Sequence, residues 1–403
     1  MLQRQMRMKY AIIILDGAAG PPEAVLGDKT PLQAARLPTL DSLASAGRLG
    51  TAGVVAVNEQ PSDADVFLSI LGYDPMRYAV GEGVLTAKAR GIAYNPDEIV
   101  FCCDFVTVID ECLHDPTAGL ITDAEVQPLI ASLNQAFGDD GFTFCGCSGH
   151  RALCRWKPPK PVSDPSLPSP ASMLNQSIQK CSPKSGDFQP INNMLMRARL
   201  LLGEHEINHV RQDLGENIAN AIWLWGAAPL CMLPGFPERH HLQCCLMEQN
   251  DILRGIGKLA GVDVFGFPEA DVEDDSYYAT LGDVTADAID AYDIVASHLA
   301  APRIHSLAGK IAEKVHALEL IDRDVLMPVL DRLQQEDQWR ILVISGRFQR
   351  DRRAESGSDQ LIFVFNGDQV DSHRGEAFDE ENALQGEMRS RQAHQLMEYF
   401  IHR

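Results

Sequence analysis

Apolar runs bounded by turn residues set the frame of this chain. Tyr10–Leu15 is apolar at every position and stops at Asp16-Gly17. An unbroken run of this kind predicts a strand buried on both faces, as in a parallel sheet. Leu49–Val57, Ile99–Val108, His241–Met247, Val262–Phe267, Ile294–His298, Arg340–Ile344 and Leu361–Phe365 read as further strands. Phe142–Cys147 and Ala152–Trp156 read as a pair joined across Ser148-Gly149. Helical spacing appears between them. Pro38–Gly47 has Thr39 as its cap and Gly47 as its stop, Asp123–Phe137 is amphipathic, and Asn250 caps Asp251–Ala260 ahead of Gly261. Helices are also predicted at Ile191–Gly203, Asn217–Trp225, Val284–Ala291, Ser306–Gln335 and Ala383–Ile401. Strands alternating with helices predict an α/β fold with a mainly parallel sheet.

One stretch breaks the alternation. Lys157–Ala171, KPPKPVSDPSLPSPA, has no apolar period and is rich in proline and serine. It reads as a linker or long surface loop. The resulting division is a core from 1–80 and 205–403, an inserted domain at 81–156, and a linking and returning segment at 157–204.

Two places carry candidate chemistry by position. Asp16 follows a buried strand, and the C-terminal end of a parallel strand is where open α/β sheets bind ligands. Such an acid suits a metal or a substrate, or simply a turn. Pro61–Pro75, PSDADVFLSILGYDP, places the hydroxyl of Ser62 in an acidic loop ahead of a helical turn at Leu68–Pro75. A hydroxyl there suits a nucleophile activated by a metal or base. Acids complementing a helix dipole give the same pattern.

The 403 residues carry a formal charge of −21. That argues against nucleic acid and against an anionic membrane surface, both of which call for clustered Lys and Arg. No apolar run approaches the length of a membrane span. Ten cysteines without a secretory signal read as reduced thiols of a cytoplasmic protein. Cys145, Cys147, His150 and Cys154 form C-x-C-x2-H-x3-C. All four are zinc-ligand types, but the spacing is not a standard zinc pattern, and buried thiols are the alternative.

Several segments then match one family. They are LDG at Leu15–Gly17, KTPLQAA at Lys29–Ala35, LSILGYDP at Leu68–Pro75, ENIANAIWLWG at Glu216–Gly226, GIGKLAG at Gly255–Gly261 and ELID at Glu319–Asp322. In this order over essentially the whole chain, they resemble the archaeal-type cofactor-independent phosphoglycerate mutases of the alkaline phosphatase superfamily. The resemblance implies an alkaline-phosphatase-like core carrying an inserted smaller α/β domain. It implies interconversion of 3- and 2-phosphoglycerate through a phosphoserine, with two divalent metals (manganese, magnesium or zinc) activating the serine. The partner it implies is a small phosphorylated metabolite.

Residue by residue, the resemblance makes Asp16 a metal ligand. It gives the nucleophile to Ser62, or places Asp63 at that position when no gap is allowed. Asp115, Arg151, Asn220, Lys258 and His298 match the family on the substrate side. The departures are concentrated in the metal site. The family segment EAPDEAGHEGD corresponds to Ala300–Lys310, so its two aspartates fall on Arg303 and Lys310 and its histidine on Leu307. A later Asp-His pair falls on Gly346 and Arg347, and no histidine lies between His316 and His373. Hard divalent cations need several oxygen or imidazole ligands, and cations in their place oppose metal. The expectation is a two-metal site absent or badly weakened. Arg303, Lys310 and Arg347 then either line a metal-free phosphate cleft or face water on a drifted loop.

Overall fold

The computed structural model describes residues 8–55, 61–160, 162, 167–183, 186–228, 232–266, 272–346, 360–371 and 375–402. The strands in chain order are β1 (Lys9–Leu15), β2 (Arg48–Gly53), β3 (Ile99–Ile109), β4 (Cys112–Asp115), β5 (Phe142–Ser148), β6 (Arg151–Trp156) and β7 (Ala221–Trp225). After them come β8 (Cys244–Met247), β9 (Asp263–Phe265), β10 (Ile294–Leu299), β11 (Trp339–Ser345), β12 (Gln360–Gly367) and β13 (Met388–Ser390). They form two sheets in two compact units, residues 1–78 with 233–403, and residues 79–232.

The first unit holds an eight-stranded sheet in the order β13-β2-β12-β11-β1-β10-β8-β9. Its centre is parallel: β1 pairs in parallel with β10 and β11, and β10 with β8. Antiparallel β12 makes the sheet mixed. From Tyr10 onward β1 is apolar at every position and buried on both faces; every residue from Ala11 to Leu15 is buried. Five helices matter below: α1 (Pro38–Ala46), α2 (Asp63–Ile70), α3 (Asp251–Leu259), α4 (Asp275–Ala291) and α5 (Ala301–Leu307).

Helix α1 lacks a local cap, since its N-cap is Leu37. The buried carboxylate of Asp322 accepts from the backbone N–H groups of Thr39 and Leu40 at 3.0 and 2.8 Å. Asp322 lies in a wide π turn, Ile321–Leu326, within the helical stretch predicted at Ser306–Gln335. Gly282 of α4 accommodates that turn, because a Cβ there would meet the Asp324 carbonyl oxygen at 2.0 Å.

The second unit holds a five-stranded antiparallel sheet, with β3 paired to β4, β6 and β7 and β5 on β6. Its core gathers Phe101, Phe105, Leu129, Phe137, Phe142 and Trp156 around the helix Asp123–Phe137. Three expectations are corrected here. Asn217–Trp225 is not a helix: Ala221–Trp225 is β7, paired with Val106–Cys102 of β3. That pairing places residues up to 232 in this unit, where the predicted return to the core was at 205. Ala383–Ile401 is not one helix, since β13 pairs with β2 between the helices Glu380–Gln385 and Gln395–His402. No helix among the described residues is long and apolar enough to cross a membrane.

Candidate functional site

Four parallel strands end at one edge of the large sheet, and their final residues form the site. Asp16 follows β1, Glu248 follows β8, His298 is near the end of β10, and Gly346 follows β11. Helices α2 and α5 bring Ser62, Asp63 and Arg303 to the same place. Glycine permits the close fit. Gly17 has φ +70°, and a Cβ on it would lie 2.6 Å from the Arg303 Cα. A Cβ on Gly346 would lie 2.4 Å from Asp16 Oδ1. Gly346 therefore packs against the Asp16 carboxylate, and the Arg303 backbone packs against Gly17 beside it.

Arg303 ties the site together. Its Nη1 donates to Asp16 Oδ2 at 3.2 Å and to Asp63 Oδ1 at 3.0 Å, while Nη2 donates to Asp63 Oδ2 at 3.0 Å. Asp63 is thus held by a two-pronged fork, which lysine could not supply. Burial opposes the charge on Arg303, but Asp16 and Asp63 raise its affinity for a proton further.

His298 lies between two acids. Its Nδ1 is 2.7 Å from Glu248 Oε2 and its Nε2 is 3.5 Å from Asp16 Oδ2. These are ion pairs by distance, with neither ring nitrogen aligned for a hydrogen bond. Burial disfavours the imidazolium, but Glu248 and Asp16 outweigh it and push the group up to about 10. Burial would likewise raise Asp16; contact with His298 and then with Arg303 brings it below the usual carboxylate range. The Phe67 ring of α2 packs edge-on against His298 at 5.1 Å. Glu248 was missed in the sequence, although it follows a parallel strand just as Asp16 does.

The helix at Pro61–Pro75 starts earlier than predicted. Ser62 is its N-cap and Asp63 its first residue. Ser62 Oγ accepts from the Asp65 N–H at 3.2 Å and donates to Asp65 Oδ2 at 2.8 Å, and the same carboxylate oxygen takes the Ser62 N–H at 2.7 Å. This is a capping box with aspartate in the role usually taken by glutamate.

The remaining candidates lie elsewhere. Lys310 pairs with Glu273, whereas Arg303 is held by Asp16 and Asp63. Arg347 lies outside the described residues. Lys258 is exposed in the last turn of α3. In the second unit, Asp115 commits both oxygens to its own turn and to Asn217. Oδ1 accepts from the Thr117 N–H and hydroxyl, and Oδ2 from Gly119 N–H and Asn217 Nδ2. The Asn220 amide brackets the Val108 backbone. Arg151 is exposed at the start of β6, opposite Asp104 of β3.

Of the two readings of Cys145, Cys147, His150 and Cys154, strand register bears on Cys145 and Cys154. Cys154 is in register with Phe144, and Cys145 with Leu153. Since adjacent strand residues face opposite ways, Cys154 is buried on the face away from Cys145, while the register shifts at Cys147. Burial pushes the Cys154 thiol far up, keeping it protonated.

The acids at this edge of the sheet are engaged by cationic side chains. The Asp16 and Asp63 carboxylates already bind a guanidinium, and Glu248 binds the His298 imidazolium. Among the described residues no three His, Cys, Asp or Glu side chains are grouped to hold an ion.

Comparison with known proteins agrees with the fold. A family profile described as 2,3-bisphosphoglycerate-independent phosphoglycerate mutase matches residues 44–208. The protein of that description from Methanothrix thermoacetophila is 33% identical over 380 residues, covering 94% of this chain and 96% of its own. One from Methanothermobacter thermautotrophicus is 31% identical over 395 residues, covering 98% and 97%. Among solved structures, a Pyrococcus horikoshii protein aligns with TM-score 0.77 at 22% identity, covering 98% of each chain. The cofactor-independent phosphoglycerate mutase of Thermoplasma acidophilum aligns with TM-score 0.63 at 25% identity, covering 98% and 99%. With its mixed, mainly parallel sheet, its smaller antiparallel sheet and this whole-length similarity, the chain belongs to the archaeal-type 2,3-bisphosphoglycerate-independent phosphoglycerate mutase family.

Proposed function

We propose that this chain keeps the fold of the phosphoglycerate mutases while its conversion of 3-phosphoglycerate to 2-phosphoglycerate is lost or much reduced. The observation that carries this is the Arg303 guanidinium seated on both Asp16 and Asp63. Two unit charges about 4 Å apart interact by roughly 4 kcal/mol at a near-surface dielectric, and a divalent ion facing a guanidinium about doubles that repulsion. A serine hydroxyl without a metal is a weak nucleophile, and here it caps a helix. The ligand class remains that of the family, a small phosphorylated acid, and the exposed guanidinium of Arg151 is the group suited to meet its phosphate.

A second reading has one observation in its favour. The Ser62 O–H points at the Asp65 carboxylate, 2.8 Å away, which is the geometry of a hydroxyl beside a base. On that reading the chain is an active mutase with Ser62 as phosphoserine nucleophile and a modified metal site. An enolase-coupled assay of 2-phosphoglycerate formation, with and without manganese, decides between them. The first reading expects no turnover above a heat-treated control. Turnover at an ordinary enzymatic rate that disappears in Ser62→Ala would refute it. Calorimetry with 3-phosphoglycerate in excess chelator measures whether the ligand still binds; no heat at millimolar ligand would remove the retained binding role.

A further inference from the structure

Two acidic side chains from distant parts of the chain converge on a single nitrogen. Arg303 Nη1 lies 3.2 Å from Asp16 Oδ2 and 3.0 Å from Asp63 Oδ1. Divalent cations such as manganese hold carboxylate oxygens at roughly 2.0–2.6 Å. An ion centred where Nη1 sits would therefore need each oxygen to move by about 1 Å or less. Gly346 backs the Asp16 carboxylate, since a Cβ there would lie 2.4 Å from its Oδ1, so Asp16 has little room to retreat on that side. Arg303 is held in place by the near contact of its Cα with Gly17.

We propose that Arg303 is a built-in substitute for a divalent cation, and that the Asp16–Asp63 pair is a latent divalent-cation site kept closed by the guanidinium. The inference rests on the reading that this chain has lost its metal chemistry, and it adds what took the metal's place. Without a cation between them, Asp16 and Asp63 would face each other as like charges. With the guanidinium, the end of β1, the first turn of α2 and the helix α5 are joined by three charge-assisted hydrogen bonds. The fold at this edge is thereby made independent of metal supply.

The test uses the full chain and manganese ion as the probe, with free manganese read by electron paramagnetic resonance. Wild type binds no manganese in a manner that depends on Asp16. Arg303→Ala binds one equivalent at least tenfold more tightly than wild type, and manganese raises its melting temperature but not that of wild type. Arg303→Ala combined with Asp16→Asn loses both effects. Arg303→Gln carries the same measurement should the alanine variant not be recovered folded. Arg303→Lys, which keeps the charge, stays closed to manganese. The proposal is overturned if neither neutral variant binds manganese more tightly than wild type. It is equally overturned if wild type binds an equivalent that Asp16→Asn abolishes, a measurement that needs no Arg303 variant. Coupled-assay turnover of the same wild-type sample separates this outcome from the proposed function. Ser62-dependent activity sinks that reading, whereas manganese uptake by the Arg303 variants is read independently of any activity.

Discussion

Asp104 allows a quantitative prediction about the unit that carries Arg151. It lies in the middle of β3, flanked in register by Arg151 of β6 and Trp223 of β7. Its Oδ2 accepts from Trp225 Nε1 at 3.1 Å, and its Oδ1 is buried with no hydrogen-bond donor. Burial pushes the carboxyl up to about 6, with Arg151 and the Trp225 N–H only partly offsetting it. In an unfolded chain the group titrates near ~3.9, so the shift is about 2 units, or roughly 3 kcal/mol. The sign follows from proton counting. Between about pH 4 and pH 6 the folded state binds the proton and the unfolded state releases it, so stability falls as pH rises through this window. Above pH 6 the full penalty of the buried charge is present. Asp104→Asn cannot ionise and should lack this slope. The assay is urea unfolding followed by tryptophan fluorescence at a series of pH values. Three of the four tryptophans, Trp156, Trp223 and Trp225, lie in this unit and report on it. Stability of wild type minus that of the variant should drop by about 2 kcal/mol from pH 4 to pH 7. A difference that stays flat within about 1 kcal/mol would refute the argument that a buried, half-satisfied carboxylate governs this region.

Other outcomes can be checked more simply. Ser62→Ala removes a helix cap and should lower stability by about 1 kcal/mol in chemical denaturation, whether or not any activity is present. Gly282→Ala forces a methyl group onto the Asp324 carbonyl, and a loss of about 3 kcal/mol is expected from calorimetric melting. Elemental analysis of purified protein should find no zinc that Cys154→Ser removes, because Cys154 faces away from Cys145.

Much of the large sheet was legible because its strands are buried on both faces. Tyr10–Leu15, Ile294–Ala296 and Ile341–Ile344 are buried apolar runs of the kind a covered parallel sheet accommodates. Ala221–Trp225 was misread because a short apolar run does not by itself distinguish strand from helix. Its partner, β3, lies more than a hundred residues earlier in sequence, as the Val108–Asn220 bond shows. The closing segment was misread because β13 is specified by pairing with β2, not by its own pattern. At the site, Asp16 was legible from its place after a strand. Arg303 was visible as a departure from the family, but its partner was not. Asp63 reads locally as an ordinary acid of a first helical turn, and only the fold brings it to a guanidinium 240 positions away.

The remote cap on α1 bears on how the chain is made. Its N–H groups wait for Asp322, some 283 residues downstream, and β1 waits for β10 and β11 on either side. As a chain grows from its N-terminus, residues 8–55 therefore leave the ribosome long before any of these partners exist. The second unit is contiguous, residues 79–232, and draws its sheet pairings from within that span. Synthesis should thus complete the inserted unit while the opening strand is still unpaired, a state open to aggregation or to chaperone capture. Proteolysis of ribosome-bound chains arrested near residue 280 should spare the span 79–232 and cut the first seventy-eight residues. Protection of the N-terminal segment at that length would refute this order.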